Sequence, residues 1–179
     1  MSRPEGHPRG RFPLAVYLAA MADSAQEAAV KHAVADWNSV FRRALGIAAF
    51  RRATRADEAA VSIALAPRMS PRMMGETEIS ADQNGLIELP VRITLLEPTA
   101  RGQTPRETLL YQVAAHELGH ALGLPHTNEP RSLMCCVWGS LDFKDPGVRA
   151  AYIEGRRHPD VRSVEAQLKA HYKAFWKEP

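Results

Sequence analysis

The chain has few cysteines and no long apolar run, and these two absences exclude several classes of protein. Its 179 residues include two cysteines, and these are neighbours, Cys135 and Cys136, so no disulfide framework can link distant parts of the fold. A bridge between the two neighbours themselves is sterically strained. No stretch approaches the ~20 apolar residues of a membrane-spanning helix, so we predict no transmembrane segment.

The basic residues are not concentrated in one place either. The formal net charge is +3, and arginines occur as scattered pairs such as Arg42–Arg43, Arg51–Arg52 and Arg156–Arg157. A nucleic-acid-binding protein more often gathers its basic residues on one stripe. The pattern therefore favours a solvated, mildly basic surface and predicts no nucleic-acid partner.

The N-terminal region allows two interpretations. Arg9 and Arg11 precede an apolar stretch, Leu14 to Ala22, which has the outline of a short signal peptide. The alternative is a buried first strand over Pro13 to Ala19. We favour the strand because Pro13 stands between the basic residues and the apolar stretch, and because a capped helix follows that stretch directly.

Two long helices and a shorter C-terminal one are predicted. The first begins at Asp23 or Ser24, where Ser24 and Glu27 form a capping box, and it ends near Leu45 before Gly46. Its apolar positions recur at helical spacing: Val30, Val34, Trp37, Phe41 and Leu45. The second has a capping pattern at its start and a glycine and a proline at its end: Thr104, Pro105, Glu107, Gly123 and Pro125. The third covers about Val161 to Trp176, after a loop-rich segment.

Short strands are predicted between the first two helices. They cover Ile47–Phe50, Val61–Leu65, Gly75–Ile79 and Leu86–Leu96, with a loop over Ala66 to Met74. Pro90 requires an edge position or a bulge within the last of them. This order of strands and helices predicts an α/β or α+β domain whose second long helix carries the chemistry.

The strongest chemical signal lies at the end of that second helix, where the residues read H-E-L-G-H-A-L-G-L-P-H. His116 and His120 are four residues apart, so both imidazoles leave the same face of the helix and can bind one zinc ion. A catalytic zinc usually takes three protein ligands and one water. Gly123 lets the chain turn out of the helix, so that His126 can return as the third ligand.

This arrangement predicts hydrolytic chemistry at one catalytic zinc ion. Three neutral histidines leave zinc its full positive charge, which lowers the pKa of a bound water to about 7. Glu117, beside His116, can take the proton of that water as it attacks a peptide carbonyl, and can pass the proton to the leaving amine. The other four histidines lack such spacing and are interpreted as surface or satisfied polar residues: His7, His32, His158 and His171.

The extended string H-E-x-x-H-x-x-G-x-x-H is the signature of the metzincin clan of zinc peptidases. Thr127 follows the third histidine, at a place where the matrixins, a family of that clan, carry Ser or Thr. The passage from Asn128 to Met134 also resembles matrixins in its length and in the placement of Pro130 and Met134. The sequence is therefore similar to a matrixin-like zinc metallopeptidase, and the close likeness covers Leu109 to Met134.

The resemblance implies a metzincin-like catalytic domain, with a twisted mixed sheet, a backing helix, an active-site helix and a small C-terminal helical part. It implies a single domain over residues 1–179, divided into an N-terminal subdomain of about 1–124 and a C-terminal subdomain of about 125–179. Met134 would form the Met-turn, an apolar floor beneath the zinc. An extended substrate would pair with an edge strand, for which Gly75–Ile79 is the candidate.

The resemblance also implies action outside the cytoplasm, although the chain shows no clear signal peptide. The segment from Ala66 to Gly85 contains no histidine, so the second, structural zinc site of animal matrixins is expected to be absent. Cys136 takes a place where some metzincins carry a tyrosine that reaches the zinc. It is either an additional or inhibitory ligand or, as we favour, a small residue in the pocket wall.

The leading functional interpretation is a zinc-dependent endopeptidase that acts on proteins or peptides. Two alternatives stay open, namely a catalytically silent zinc-stabilised protein-binding module and a zinc hydrolase of a non-protein amide. Intact Glu117 favours an active enzyme. The zinc ligands do not separate peptide from other amide substrates, because substrate choice depends on the walls of the pocket.

Overall fold

A mixed β-sheet organises the N-terminal two thirds of the chain. The computed structural model describes residues 4–68, 73–99, 102, 104–137 and 139–176. Within them the strands are β1 (Leu14–Leu18), β2 (Phe50–Arg52), β3 (Val61–Ala66), β4 (Gly75–Glu78) and β5 (Val91–Leu96). Their order across the sheet is β2-β1-β3-β5-β4. All neighbours are parallel except β4 and β5, which are antiparallel.

The helices cover one face of this sheet and the C-terminal region. They are α1 (Ser24–Leu45), α2 (Arg106–Ala121), α3 (Pro146–Arg157) and α4 (Glu165–Phe175), with short 3₁₀ turns at Arg9–Arg11, Ala56–Glu58 and Val161–Val164. None of the helices in the described part of the chain is long and apolar enough to cross a membrane.

The strand interpretation of the N-terminal apolar stretch is confirmed, because β1 lies between β2 and β3 inside the sheet. Its residues Leu14, Ala15 and Val16 are buried, as expected for a strand with neighbours on both sides. The segment Gly75–Ile79 is also confirmed as an edge strand, since β4 ends the sheet beyond β5.

The predicted strand Leu86–Leu96 is shorter than expected. Leu86 and Ile87 form isolated bridges with Gly6 and Ala81, and β5 begins only after Pro90. The reason is that β5 lies in the interior of the sheet, where a proline would remove a hydrogen bond from the ladder. Pro90 therefore precedes the strand, and the prediction of an edge or a bulge there was wrong.

Both helices are correct, and of the two predicted starts for α1 Asp23 is confirmed as the N-cap, whereas the capping boxes predicted at Ser24 and Thr104 are each off by one residue. The Asp23 carboxylate caps α1 by accepting hydrogen bonds from the backbone N–H groups of Ala25 at 2.8 Å and Gln26 at 3.4 Å. At α2 the extended residue Pro105 takes the N-cap position, so Thr104 lies outside the helix. A residue before proline avoids helical geometry, which delays the start of α2.

The second long helix is anchored from two sides. Trp37 of α1 is fully buried and its Nε1–H donates to the carbonyl oxygen of Ala115 at 2.8 Å. Tyr172 of α4, also fully buried, donates its hydroxyl to the carbonyl oxygen of Leu122 at 2.8 Å. These bonds fix the C-terminal half of α2, which carries the histidine motif, against the core.

The segment predicted as loop-rich contains an additional helix, α3. Asp145 caps it by accepting from the backbone N–H of Gly147 at 2.7 Å, and Pro146 occupies its first turn. No residue of α3 is fully buried, although its half-buried positions recur at helical spacing: Val148, Ala151, Tyr152, Gly155 and Arg156. The division of the domain near residue 124 stays a prediction, and residues 69–72 of the predicted loop lie outside the described residues.

Candidate metal centre

Three histidines from α2 and the loop after it meet at one point. The Nε2 atoms of His116 and His120 are 3.1 Å apart, those of His116 and His126 are 3.1 Å apart, and those of His120 and His126 are 3.2 Å apart. Nitrogen ligands at the usual Zn–N distance in a tetrahedron would be about 3.3 Å apart. The cluster therefore fits a zinc ion. Among the described residues, it is the one group of three or more possible metal ligands whose ligand atoms lie close together.

Backbone carbonyl groups orient two of the three rings. The Nδ1–H of His116 donates to the carbonyl oxygen of Leu133 at 2.8 Å, and that of His120 donates to the carbonyl oxygen of Leu124 at 2.9 Å. With Nδ1 protonated, the lone pair of each ring lies on Nε2, the atom that faces the cluster. Outer-sphere bonds of this kind set the tautomer and the orientation of metal-binding histidines.

Burial keeps the three imidazoles in the form that binds metals. Burial lowers the pKa of His116 to about 3, with His120 as the next cause, and it lowers the pKa values of His120 and His126 as well. All three rings are therefore neutral at pH 7, as a metal ligand must be.

Gly123 makes the turn that returns the chain to the cluster. Its φ angle is +86°, and its N–H donates to the carbonyl oxygen of His120 at 2.7 Å. A Cβ atom there would lie 2.1 Å from the carbonyl oxygen of Glu5. Both the left-handed backbone and the close approach exclude a side chain, so only glycine suits this position.

Glu117 lies on α2 next to the cluster and is buried, with 7% of its surface exposed. Burial raises the pKa of its carboxyl group, and the negative charge of Glu76 adds to that effect. The hydroxyl of Thr77 on β4 donates to its Oε2 at 2.6 Å and opposes the rise. Gly75 on the same strand is also close, since a Cβ there would lie 3.1 Å from Oε1 of Glu117.

The three histidines and Glu117 line a cavity of about 790 Å³. Further lining residues come from β4, α2, α3 and the segment after Met134, among them Met74, Val113, Cys136, Tyr152 and Arg156. A second cavity of the same volume lies on the other side of α2, against α1, and is lined by His32, Asp36 and Tyr111 among others. The three-histidine cluster lines the cavity that contains Glu117 and does not line the cavity against α1.

Met134 packs on α2 next to His120, and the two cysteines after it line the same cavity as the cluster. Met134 is fully buried and packs on Gly119 of α2, because a Cβ on Gly119 would lie 2.4 Å from its sulfur. Cys135 and Cys136 are joined by a disulfide and both line the cavity. The cluster of three nitrogen ligands does not include Cys136, which agrees with its interpretation as a residue of the pocket wall.

Comparison with known proteins identifies the family. A family model described as matrixin matches residues 11–149. The chain belongs to the matrixin family. A stretch of 48 residues is also 46% identical to the macrophage metalloelastase of Oryctolagus cuniculus, and it covers 27% of this chain and 10% of that protein. Membership confirms the predicted enzyme class, a metalloendopeptidase, the predicted cofactor, zinc, and the predicted α/β fold.

The matrixin sequence signature did not identify every residue around this centre. Thr77 lies within the predicted strand Gly75–Ile79, but its contact with Glu117 depends on the packing of β4 on α2, which the sequence does not reveal. Arg156 was noted only as part of a scattered basic pair, because the helix that carries it was not predicted. The remaining histidines are surface or satisfied residues as expected; His7, for example, is fully buried and bonded through Nε2 to the carbonyl oxygen of Ala121 at 2.8 Å.

Proposed function

We propose that this matrixin hydrolyses internal peptide bonds of proteins, with His116, His120 and His126 as ligands of one catalytic zinc ion and Glu117 as general base. The observation that carries the proposal is the convergence of three Nε2 atoms, 3.1–3.2 Å apart, beside a buried carboxylate in one open cavity. Bound zinc supplies a Lewis acid that polarises the peptide carbonyl and makes water a nucleophile at neutral pH.

The protein's own contribution to proton transfer is the environment of Glu117. Its raised pKa makes the carboxylate a stronger base than an exposed glutamate. The hydroxyl of Thr77 donates to Oε2, so this oxygen is held in place and Oε1 is left to accept a proton. The same oxygen can then return the proton to the leaving amine, which is the step that peptide-bond cleavage requires.

Strand β4 is the proposed docking site for the substrate backbone. Among the described residues β4 pairs with β5 on one side, and its other side forms the edge of the sheet. An extended peptide can add to such an edge through main-chain hydrogen bonds. Because Gly75 and Thr77 contact Glu117, a peptide bound along β4 would pass close to the base.

Met134 is proposed as the Met-turn residue and the apolar floor of the site. Its complete burial against Gly119 supports this role, since Gly119 immediately precedes the zinc ligand His120. Matrixins are generally secreted or extracellular, and we propose that this chain also acts outside the cytoplasm.

The proposal is tested by hydrolysis of casein and of a mixed peptide library, with zinc content measured in the same samples. We expect wild-type cleavage that a chelator abolishes and added zinc restores, and a loss of several orders of magnitude in Glu117→Ala with zinc content unchanged. Glu107→Gln, an exposed glutamate on the same helix, is the matched control and should cleave normally. Wild-type protein that holds one zinc and cleaves no peptide would contradict the proposal. Cleavage of small amides alone would instead favour a hydrolase of non-protein substrates.

A further inference from the structure

Arg156 of α3 brings a positive charge into the cavity that contains the metal centre. Its Nη2 donates to the carbonyl oxygen of Cys135 at 2.8 Å and lies 3.5 Å from that of Ser132. Its guanidinium carbon lies 4.8 Å from the ring centre of Tyr152, within the range of a cation–π contact. The guanidinium is therefore held in one orientation before any substrate binds.

This guanidinium has no negatively charged partner. Among the described residues, no carboxylate lies within ion-pair distance of Arg156. The ion pairs that do form join other side chains, most of them exposed at the surface. Its Nε is buried and has no hydrogen-bond acceptor within the described part of the chain. Both features are costly, because a partly desolvated cation normally keeps a counter-charge and a buried N–H normally keeps an acceptor.

The other described side chains of the cavity wall include no lysine or arginine that could bind an incoming anion in place of Arg156. The described lining residues include one carboxylate, that of Glu117, and it is bonded to Thr77. The three lining histidines are the proposed zinc ligands, so their Nε2 atoms are committed to the metal. Apolar side chains form much of the remainder, among them Met74, Leu109 and Val113. Outside the proposed zinc site, a substrate carboxylate that entered the cavity would therefore meet Arg156 as the one cation among the described lining residues.

We propose that Arg156 binds a carboxylate of the substrate next to the scissile bond and makes this matrixin prefer acidic residues there. The inference rests on the proposed function, since it concerns the substrate of the same site. The group that Arg156 would bind is a carboxylate, which can come from an aspartate or glutamate side chain or from the C-terminus of a peptide. Guanidinium suits either, because it stays charged at neutral pH and can donate a charge-assisted hydrogen bond to a carboxylate oxygen.

The first test compares peptides that differ only in charge. Peptides blocked at both ends carry Glu or Gln at each of three positions on either side of the cleaved bond, and kcat/KM is measured for every pair. We expect wild type to favour Glu over Gln at one position by on the order of tenfold, the scale of a charge-assisted hydrogen bond in a partly exposed site. A peptide with a free C-terminus, compared with its amide, shows whether a terminal carboxylate is bound instead.

Variants separate recognition from a structural role. Arg156 also holds two carbonyl groups, so its loss can slow the cleavage of every peptide. The decisive quantity is therefore the Glu/Gln ratio, which a structural role would not change. We expect that ratio to fall to near one in Arg156→Gln, to persist in part in Arg156→Lys, and to fall below one in Arg156→Glu. Arg157→Gln, a neighbour that lines the cavity on the other side of α2, is the matched control and should keep the wild-type ratio.

A binding measurement makes the inference independent of turnover. In the zinc-loaded Glu117→Ala protein, fluorescence anisotropy should show tighter binding of the Glu peptide than of the Gln peptide, and Arg156→Gln should remove the difference. Equal cleavage and equal binding of the two peptides by wild type would overturn the inference and leave the proposed function intact. Absence of any cleavage would overturn the proposed function, and the binding ratio would still decide the role of Arg156.

Discussion

The hydroxyl of Thr77 lies 2.6 Å from Oε2 of Glu117, and this bond joins the edge strand to the helix that carries two of the proposed metal ligands. The same hydroxyl lies 3.1 Å from the backbone carbonyl oxygen of Glu117. A residue on the proposed substrate-binding strand thus positions the proposed general base. Any shift of β4 relative to α2 would move the carboxylate, so the bond couples strand position to proton transfer.

Thr77→Val removes this hydrogen bond while it keeps the shape and the β-branching of the side chain. One oxygen of Glu117 would then lack its donor, and the carboxylate would lose its fixed orientation. We expect kcat to fall on the order of tenfold, with zinc content unchanged, since general-base catalysis depends on the geometry of the base. Steady-state kinetics on one peptide measures this effect. Thr77→Ser retains the hydroxyl and should restore most of the rate; equal loss in both variants would contradict a positioning role.

The contribution of His126 can be tested because it lies on a loop rather than on the helix. His126→Ala removes one of three nitrogen ligands, and we expect zinc affinity to fall at least a hundredfold while the circular dichroism spectrum stays that of the wild type. Competition with a chromophoric chelator measures the affinity. His158→Ala is the matched control, because His158 is exposed and lies outside the cluster. Stoichiometric zinc at wild-type affinity in His126→Ala would contradict the assignment.

The metal centre was predictable from the sequence because its residues are close together along the chain. The spacing of His116, His120 and His126 requires only one helix and one glycine turn, which local rules describe well. Thr77 could not be found in this way, because its contact with Glu117 spans 40 residues and depends on the packing of a strand on a helix. Sequence periodicity describes the face of an element and does not say what that face contacts.

The fold shows the same distinction between local and long-range signals. The helix α1 was predictable because its apolar stripe and its capping residues are strong, and Gly46 ends it with a φ angle of +77° as expected. The helix α3 was not predicted because its half-buried face includes Gly155 and Arg156, which give only a weak apolar pattern in the sequence. The Asp145–Pro146 pair, an N-cap followed by proline, was the available signal. Recognising it would have placed Arg156 on a helix before the structure was known.

Gly119 allows the close packing of Met134 on α2 beside His120, and a methyl group on Gly119 should disturb it. In Gly119→Ala the new Cβ would lie 2.4 Å from the sulfur of Met134 and 3.2 Å from a ring carbon of Trp37. Both neighbours are fully buried, so neither has room to move away. We expect a loss of about 1–3 kcal/mol in the free energy of unfolding, together with weaker zinc binding.

Chemical denaturation of the zinc-free and zinc-loaded proteins measures both effects of Gly119→Ala. The matched control is Gly10→Ala, because no atom lies within 4 Å of a Cβ built at Gly10 and its φ angle is ordinary. That control should leave stability and zinc affinity near the wild-type values. A fully stable Gly119→Ala protein with normal zinc affinity would show that the packing of Met134 is looser than described.

His7 should make the protein less stable in acid. It is fully buried, and burial lowers its pKa from 6.5 to about 4, with the charge of Arg11 acting in the same direction and the bond to Ala121 opposing both. The ring also lies against Phe12. Because the pKa in the folded protein is the lower one, the unfolded chain binds the proton first. The stabilisation from neutral His7 is therefore complete above pH 6.5 and is lost as the pH falls toward 4.

The measurement compares His7→Gln with wild type by urea denaturation at pH 7 and at about pH 4.5. Glutamine can still donate to the carbonyl of Ala121 but carries no titrating group, and the acid-sensitive zinc ligands are common to both proteins. We expect wild type to lose about 2 kcal/mol more than His7→Gln over this interval, from the linkage between the pKa shift and stability. The sign is decisive: a larger acid loss in His7→Gln, or equal losses, would mean that His7 becomes protonated without unfolding.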